Sequence, residues 1–460
     1  MTIFLLSCFF DEERRKKKDD YLDSPLILVT GATGYIASRL IPRLLDSGYR
    51  VRALARDPRR LQGRTWFRHV EVVQADVTEP STLNAAMEGV HTAYYLVHNM
   101  SHGHGYASLE LDGARNFAHA AEQGGVEHIV YLGGLADPEQ HIAPHMRSRI
   151  ETGKVLREGK VPVTEFRAGV ITGSGSISFE MIRFMTELCP IVPGPMWMKN
   201  KSQPIAAQNV IDYLCAALTN PNGHGGVFEI GGPEITNYGN LMLRYAHARG
   251  LKRSMFLLPR IPISLMAFGV GLMTPVPYPI AYALIGGLSA DSFVKHPEAL
   301  KIFPEVKLID LDSATKDALV KTHPLHIERV WDDGEQRAKS IKHEGCFIDH
   351  RELKIKASLE QTFKTLEHIA RNHNWQIEIH AENARILVSD TNQRFGKHWV
   401  EWRAAPGSLT GKFADLTYLS QTIFFSPNGL PGFLYWHLLM PFHKIQLSRR
   451  IKALSRQIAG

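Results

Sequence analysis

Leu26-Ile27-Leu28-Val29-Thr30-Gly31-Ala32-Thr33-Gly34-Tyr35-Ile36-Ala37 decides the fold. Residues 26–30 make a short apolar run, as expected of a strand buried on both faces. Residues 36–47 then repeat apolar positions at helical spacing. Between the two, Gly31 permits a tight turn and Gly34 lets backbone N–H groups approach a pyrophosphate. Small Ala37 lets the helix sit close on the sheet. The helix N-terminus would turn the positive end of its dipole toward the phosphates. A glycine motif alone carries little weight. Here it has a strand before it, a helix after it and a second strand ending where a ribose would lie. We read Gly31, Thr33, Gly34, Tyr35 and Ile36 as cofactor-binding residues.

Outward from this turn the pattern repeats. Strand-like runs at 51–55, 70–75, 92–97, 128–132 and 163–171 alternate with helical spacing at 36–47, 81–89, 107–124 and 146–158. Repeated βα units predict an α/β fold, a doubly wound parallel sheet of Rossmann type, over 25–322. Residues 231–310 would supply helices on the substrate side. Beyond a turn-rich stretch near His323 the order changes to strand (353–357), helix (358–372), four antiparallel strands (375–380, 385–389, 398–403 and 415–426) and a long helix from about Phe433. This predicts a smaller C-terminal α+β domain over 323–460.

At the end of the second strand an acid would accept from a ribose 2′-OH. Arg56 stands there instead, in Ala53-Leu54-Ala55-Arg56-Asp57. A guanidinium pairs with a 2′-phosphate where a carboxylate would repel it, so NADP(H), with NADPH preferred over NADH, is expected. In Gln74-Ala75-Asp76-Val77, Asp76 is placed to accept from an adenine amino group, with Val77 beside it. The alternative is that Asp76 caps the helix near Ser81.

The chain has 460 residues, 44% of them apolar and 22% charged, which excludes wholesale disorder, collagen and coiled coil. The net charge, 53 − 46 = +7, is too diffuse to argue for nucleic acid. Cys8, Cys189, Cys215 and Cys346 have no metal-ligand spacing and fit reduced thiols of a cytoplasmic protein. Residues 1–24 read as a disordered leader: the charges of 11–20 cancel, and they follow the apolar run 1–10 where a signal peptide would have them first. The stretch 261–290 has no charged residue, but prolines at 262, 275, 277 and 279 leave no piece near the ~20 residues a membrane span needs. Short apolar helices packed over a cleft are expected there.

With Tyr94-Tyr95-Leu96-Val97-His98, Tyr131-Leu132-Gly133-Gly134-Leu135, Gln203-Pro204-Ile205-Ala206 and Phe228-Glu229-Ile230-Gly231-Gly232-Pro233, the first 300 residues resemble the atypical short-chain dehydrogenase/reductases. Within that group they are most similar to the NmrA-like branch and the 39 kDa subunit of respiratory complex I. The resemblance implies that Leu96 and Val97 line the dinucleotide. The C-terminal part, above all Leu434-Tyr435-Trp436-His437 and Pro441-Phe442-His443, resembles a helix-grip (START-like) domain. The segment between Trp375 and Ser426 is shorter than a fully wrapped sheet, so an incomplete domain is expected.

Short-chain dehydrogenases use a Tyr-x-x-x-Lys pair on a helix, with a Ser after the fifth strand. No Tyr-x-x-x-Lys occurs here, and Gly133 or Gly134 stands at the Ser position. His145 and Arg149 align with the Tyr and Lys. His145 is then either the proton donor, with Arg149 holding the ribose, or a plain helical residue of a site without chemistry. Lys154 faces away from His145 on an ideal helix. His98, His102 and His104 read as a cleft-lining loop in preference to a metal site. The last helix carries Lys444, Arg449, Arg450, Lys452 and Arg456, with no acid after Asp415. It either packs on its own domain or touches an anionic inner-membrane surface or a respiratory complex. Two functions follow for the first domain, and carriage of a lipid or other hydrophobic ligand by the C-terminal domain is a third. One is an NADP-dependent oxidoreductase acting on a small hydrophobic carbonyl, enone or quinone-like substrate. The other is a non-catalytic NAD(P)-binding redox sensor or assembly factor.

Overall fold

The computed structural model describes residues 24–459 apart from 62–63, 99–105, 141, 260, 275, 277, 323–341, 344–345, 373–374, 382–384, 391–393 and 407–415. The expected leader and the histidines 102 and 104 lie outside the described residues.

Seven strands form one parallel sheet. In chain order the elements are β1 (Leu26–Val29), α1 (Tyr35–Asp46), β2 (Arg50–Ala55), β3 (Glu71–Gln74), α2 (Leu83–Met87), β4 (Thr92–Tyr95), α3 (Tyr106–Gln123), β5 (His128–Gly134), α4 (Pro144–Arg157), β6 (Val163–Ala168), α5 (Ile177–Leu188), α6 (Ala207–Thr219) and β7 (Val227–Ile230). The strand order is β7-β6-β5-β4-β1-β2-β3. The order reverses at β1, between β4 and β2, so the crevice above the carboxyl end of β1 is the place where such sheets take ligands. β1 is buried at every residue, as its unbroken apolar run requires. Leu40, Ile41 and Leu44 of α1 and Val210 and Leu214 of α6 cover one face. Leu83 of α2, Phe117 of α3 and Leu156 of α4 cover the other. The doubly wound sheet is therefore as the sequence pattern implies.

α7 (Tyr238–Ala248) is followed by α8 (Ile263–Met273) and α9 (Tyr278–Gly287), the uncharged stretch. Ala267, Val270, Ala281 and Ile285 pack between α8 and α9. The stretch forms short apolar helices, as the sequence reading expects, and on them Leu265, Phe268, Leu272, Tyr278 and Tyr282 are exposed.

The C-terminal sheet is antiparallel. β8 (Cys346–Lys356) precedes α10 (Leu359–Asn372), β9 (Trp375–Ala381), β10 (Arg385–Asp390), β11 (Gly396–Pro406), β12 (Leu416–Pro427) and α11 (Gly429–Ala459). A two-residue strand, Lys342–His343, heads the order, followed by β8-β12-β11-β10-β9. The first long strand thus pairs with the last across ten residue pairs, Phe347 opposite Phe425 through Lys356 opposite Leu416. β8 is twice as long as the sequence pattern suggested, because 346–349 are buried on both faces and show no alternation. Phe363 and Leu366 of α10 and Leu454 and Ile458 of α11 fill one face of this sheet together with Trp402 and Trp375. The opposite end of α11 contributes Phe433 and Trp436 to a second cluster with Phe184 and Leu188 of α5. One helix therefore fastens the two sheets to each other.

Candidate functional site

The turn after β1 is shaped by what it cannot hold. Gly31 has φ +61°, and a Cβ there would lie 2.7 Å from the Leu96 carbonyl oxygen. Thr30 fixes that neighbour: its hydroxyl donates to the Tyr94 carbonyl at 2.9 Å and accepts from the Leu96 amide at 3.0 Å. The Gly34 amide donates to Gly31 at 2.7 Å, closing the turn. Gly34 is the N-cap of α1 in extended conformation, and no side chain caps that helix end. Thr33, Tyr35 and Ile36 are half-buried around it, and the Arg39 guanidinium lies over the Tyr35 ring at 3.9 Å. An uncapped helix start behind a Cβ-free cradle fits a pyrophosphate. The residues present therefore fit a dinucleotide.

Arg56, just beyond β2, is exposed. The Gln74 side chain donates to its carbonyl at 3.1 Å, which ties β2 to β3 at this point. The Asp76 Oδ1 accepts from the Thr78 amide at 2.9 Å and the Thr78 hydroxyl at 2.8 Å. It thus organises its own turn and does not cap α2, while Oδ2 accepts nothing among the described residues. Val77 is buried, and its carbonyl takes the Asn116 side-chain amide at 3.0 Å. Gly31, Arg56, Asp76, Leu96 and Val97 all lie at the carboxyl ends of β1 to β4, as the sequence reading expects.

At the carboxyl ends of β4 and β5 the structure gathers polar groups that the sequence does not juxtapose. His98 stands two residues past Leu96, and its Nδ1 lies 2.5 Å from Glu110 Oε1 on α3. Glu110 is 5% exposed, and its other oxygen accepts the Ser148 hydroxyl of α4. Burial and the Arg149 charge push the His98 pKa down, while its bond to Glu110 opposes them. The sequence reading missed Glu110 and Ser148. A signal existed: Glu110 shares its helical stripe with buried Ala114, Phe117 and Ala121, an acid in an apolar row.

His145 and Arg149 lie on one face of α4 as their spacing requires, but both are engaged with the scaffold. The Arg149 Nη2 donates to the Leu132 carbonyl at 2.6 Å, and the Tyr131 hydroxyl donates to the Arg149 carbonyl at 2.9 Å. His145 is buried, its Nδ1 without a hydrogen-bond partner among the described residues. A Cβ on Gly287 of α9 would sit 2.8 Å from its Cε1. Burial, then the charges of His98 and Arg149, lower its pKa to about 4, so it is neutral near pH 7. At Gly134 a Cβ would meet the Met146 Cε at 2.7 Å, so the missing Ser would require the Met146 side chain to turn aside.

Comparison with known proteins agrees with this geometry. Residues 23–229 match the NmrA-like family. Cinnamoyl-CoA reductase 1 of Oryza sativa subsp. japonica is 32% identical over 144 residues, 30% of this chain and only 40% of that protein. The (4-alkanoyl-5-oxo-2,5-dihydrofuran-3-yl)methyl phosphate reductase of Streptomyces griseus is 32% identical over 219 residues, 45% of this chain and 68% of that one. The photosystem II assembly factor Ycf39 of Cyanophora paradoxa is 23% identical over 247 residues, covering 52% and 73%. Among solved structures, triphenylmethane reductase of Citrobacter sp., complexed with NADP(H), superposes with a TM-score of 0.53 at 21% identity, over 64% of this chain and 99% of that one. The NADPH-dependent quinone oxidoreductase of Escherichia coli, complexed with NADPH, does so at 0.52 and 19%, over 63% and 98%. The phosphate-cradling turn, the strand order and an identity sustained along two-thirds of the Streptomyces reductase have one common explanation: this chain belongs to the NmrA-like family, with its NAD(P)-binding Rossmann fold.

Proposed function

We propose that the protein binds NADPH in preference to NADH and reduces a small hydrophobic carbonyl, enone or quinone-like acceptor. The buried His98–Glu110 pair carries this reading. A carboxylate and an imidazole held 2.5 Å apart in a nearly closed site are costly to bury unless they handle charge or protons. They stand beside the turn that would hold the dinucleotide. The two structural neighbours complexed with NADP(H) or NADPH and the exposed guanidinium of Arg56 support the cofactor assignment.

When bound, the cofactor supplies the hydride. The turn at Gly31 and Gly34 orients it, and Arg56 pairs with its 2′-phosphate. Asp76 Oδ2 accepts from the adenine amino group. His98 acts in the form protonated on both nitrogens, which its lowered pKa makes the minor one near pH 7 and which grows as pH falls; it keeps Nδ1–H on Glu110 and gives the Nε2 proton to the oxygen that gains negative charge. Glu110 stabilises the imidazolium and is itself held by Ser148. His145, packed against Gly287, is the less accessible of the two imidazoles. We assign it to the scaffold, and the proton to His98.

The test is NADPH oxidation with 1,4-benzoquinone and cinnamaldehyde as acceptors, followed against pH. His98→Asn should lower kcat by about 10²-fold or more. Glu110→Gln should shift the pH inflection further down, since it removes the charge that supports the imidazolium. His145→Gln should leave kcat within a few-fold. Arg56→Ala should cut the NADPH-over-NADH preference by about tenfold, roughly one charge-assisted bond. A kcat lost in His145→Gln and kept in His98→Asn would reverse the assignment.

A second reading has one specific observation behind it. The Tyr-x-x-x-Lys pair is absent, and Arg149, in the lysine's place, holds the Leu132 carbonyl. A non-catalytic NAD(P)-responsive assembly or sensor protein needs no such pair, and the similarity to Ycf39 supports it. Tight NADPH binding without turnover on either acceptor would favour this second reading.

A further inference from the structure

The last helix has two faces that keep their registers from end to end. At 3.6 residues per turn, Phe433, Trp436, Ile451, Leu454 and Ile458 fall within about 60° of one another, and all are buried. On the opposite side Leu434, Leu438, Phe442 and Ile445 fall within about 80°, and they are 44%, 68%, 70% and 55% exposed. The same outward stripe then continues through Arg449, Lys452 and Arg456, all exposed, at spacings of four, three and four. One surface of a single helix thus runs apolar for its first half and cationic for its second.

A second bare row occurs among the described residues: Leu265, Phe268 and Leu272 on α8. Met273, at the end of α8, packs into the cluster that holds Phe433 and Trp436 of the inner face of α11. Tyr278 and Tyr282 stand exposed on α9 with ring centroids 6.1 Å apart. Apolar patches of several hundred Å² are rare on monomers without a use for them. No described helix is long and apolar enough to cross a membrane.

We propose that the outward face of α11 docks on an anionic lipid bilayer and lies in its interface, with the bare residues of α8 as a second apolar contact. A bilayer presents an apolar interior, an aromatic-friendly boundary and a layer of phosphates in that order of height. Along α11 the surface presents Leu, Phe and Ile and then Arg and Lys. Charge complementarity selects lipid phosphate: the sequence has no acid after Asp415 and five cations beyond residue 443. The inner face of α11 keeps its contacts with both sheets, so docking needs no unfolding. This proposal does not depend on the reductase reading.

Co-sedimentation of the full chain with vesicles tests it. Vesicles of phosphatidylcholine containing about one-third phosphatidylglycerol should bind the protein at least about tenfold more tightly than phosphatidylcholine alone, with the difference lost in high salt. Leu438→Glu with Phe442→Glu should abolish binding to both. Arg449→Glu with Lys452→Glu and Arg456→Glu should abolish only the preference for phosphatidylglycerol. Phe268→Glu on α8 should weaken binding several-fold. All these positions are exposed, and an unchanged circular dichroism melt certifies each fold. Wild type remaining in the supernatant with the anionic vesicles overturns the proposal. So does vesicle binding that the Leu438/Phe442 variant retains, and so does capture of the helix by an acidic protein while vesicles capture nothing.

Discussion

His145 shows how one buried group ties stability to acidity. Its folded-state pKa, about 4, lies below the ordinary 6.5. Between these values the unfolded chain binds a proton that the folded chain refuses, so this residue lowers stability as pH falls through the window and has no such effect above it. The full effect is about 3 kcal/mol. His145→Gln should flatten the fall in urea-unfolding free energy between pH 6.5 and about 4 relative to wild type. An identical slope in both proteins would place the titration elsewhere. His98 shifts in the same direction, but its bond to Glu110 opposes that shift, whereas His145 Nδ1 has no partner among the described residues.

At the scale of elements, the turn from β1 to α1 tolerates little change at Gly31. Gly31→Ala meets a left-handed backbone and the Leu96 carbonyl together. It should cost at least about 2 kcal/mol in thermal unfolding and remove measurable NADPH binding. This element was legible in the sequence because its requirements are local: an apolar run, a glycine where φ is positive, and a helical period afterwards. α5 was not legible. Phe179, Glu180, Met181, Arg183, Phe184, Glu187 and Leu188 are all buried, so no stripe distinguishes an inner from an outer face. Its cause is tertiary, since it lies between the two sheets. The Glu110–His98–Ser148 contact was hidden for a similar reason: three elements supply it, and only the packing of α3 beside α4 brings them within reach. Arg56 and Asp76, by contrast, follow from counting strands.

Across the whole molecule the two halves meet on aromatic rings. Phe184 of α5 lies 5.5 Å from Phe347 of β8, centroid to centroid, and 1% exposed. Phe184→Ala should cost about 3–5 kcal/mol and split a single calorimetric transition into two, because the lost ring is part of what joins the domains. One unsplit transition at an unchanged temperature would show that the halves melt together for another reason. The sequence reading separates the same two halves by their change from alternating βα units to an antiparallel meander. It could not tell that α11 reaches back across the junction, because periodicity describes a helix face and not what covers it.

Trp436 lies flat across Phe347 and Phe425, which face each other on adjoining strands, at 5.7 and 5.1 Å. Its indole therefore sits at the seam itself, within a dry aromatic pile. Light emitted from that ring, read as the difference between wild type and Trp436→Phe because the chain has six other tryptophans, becomes a gauge native to the molecule: it should redden and dim when the seam loosens.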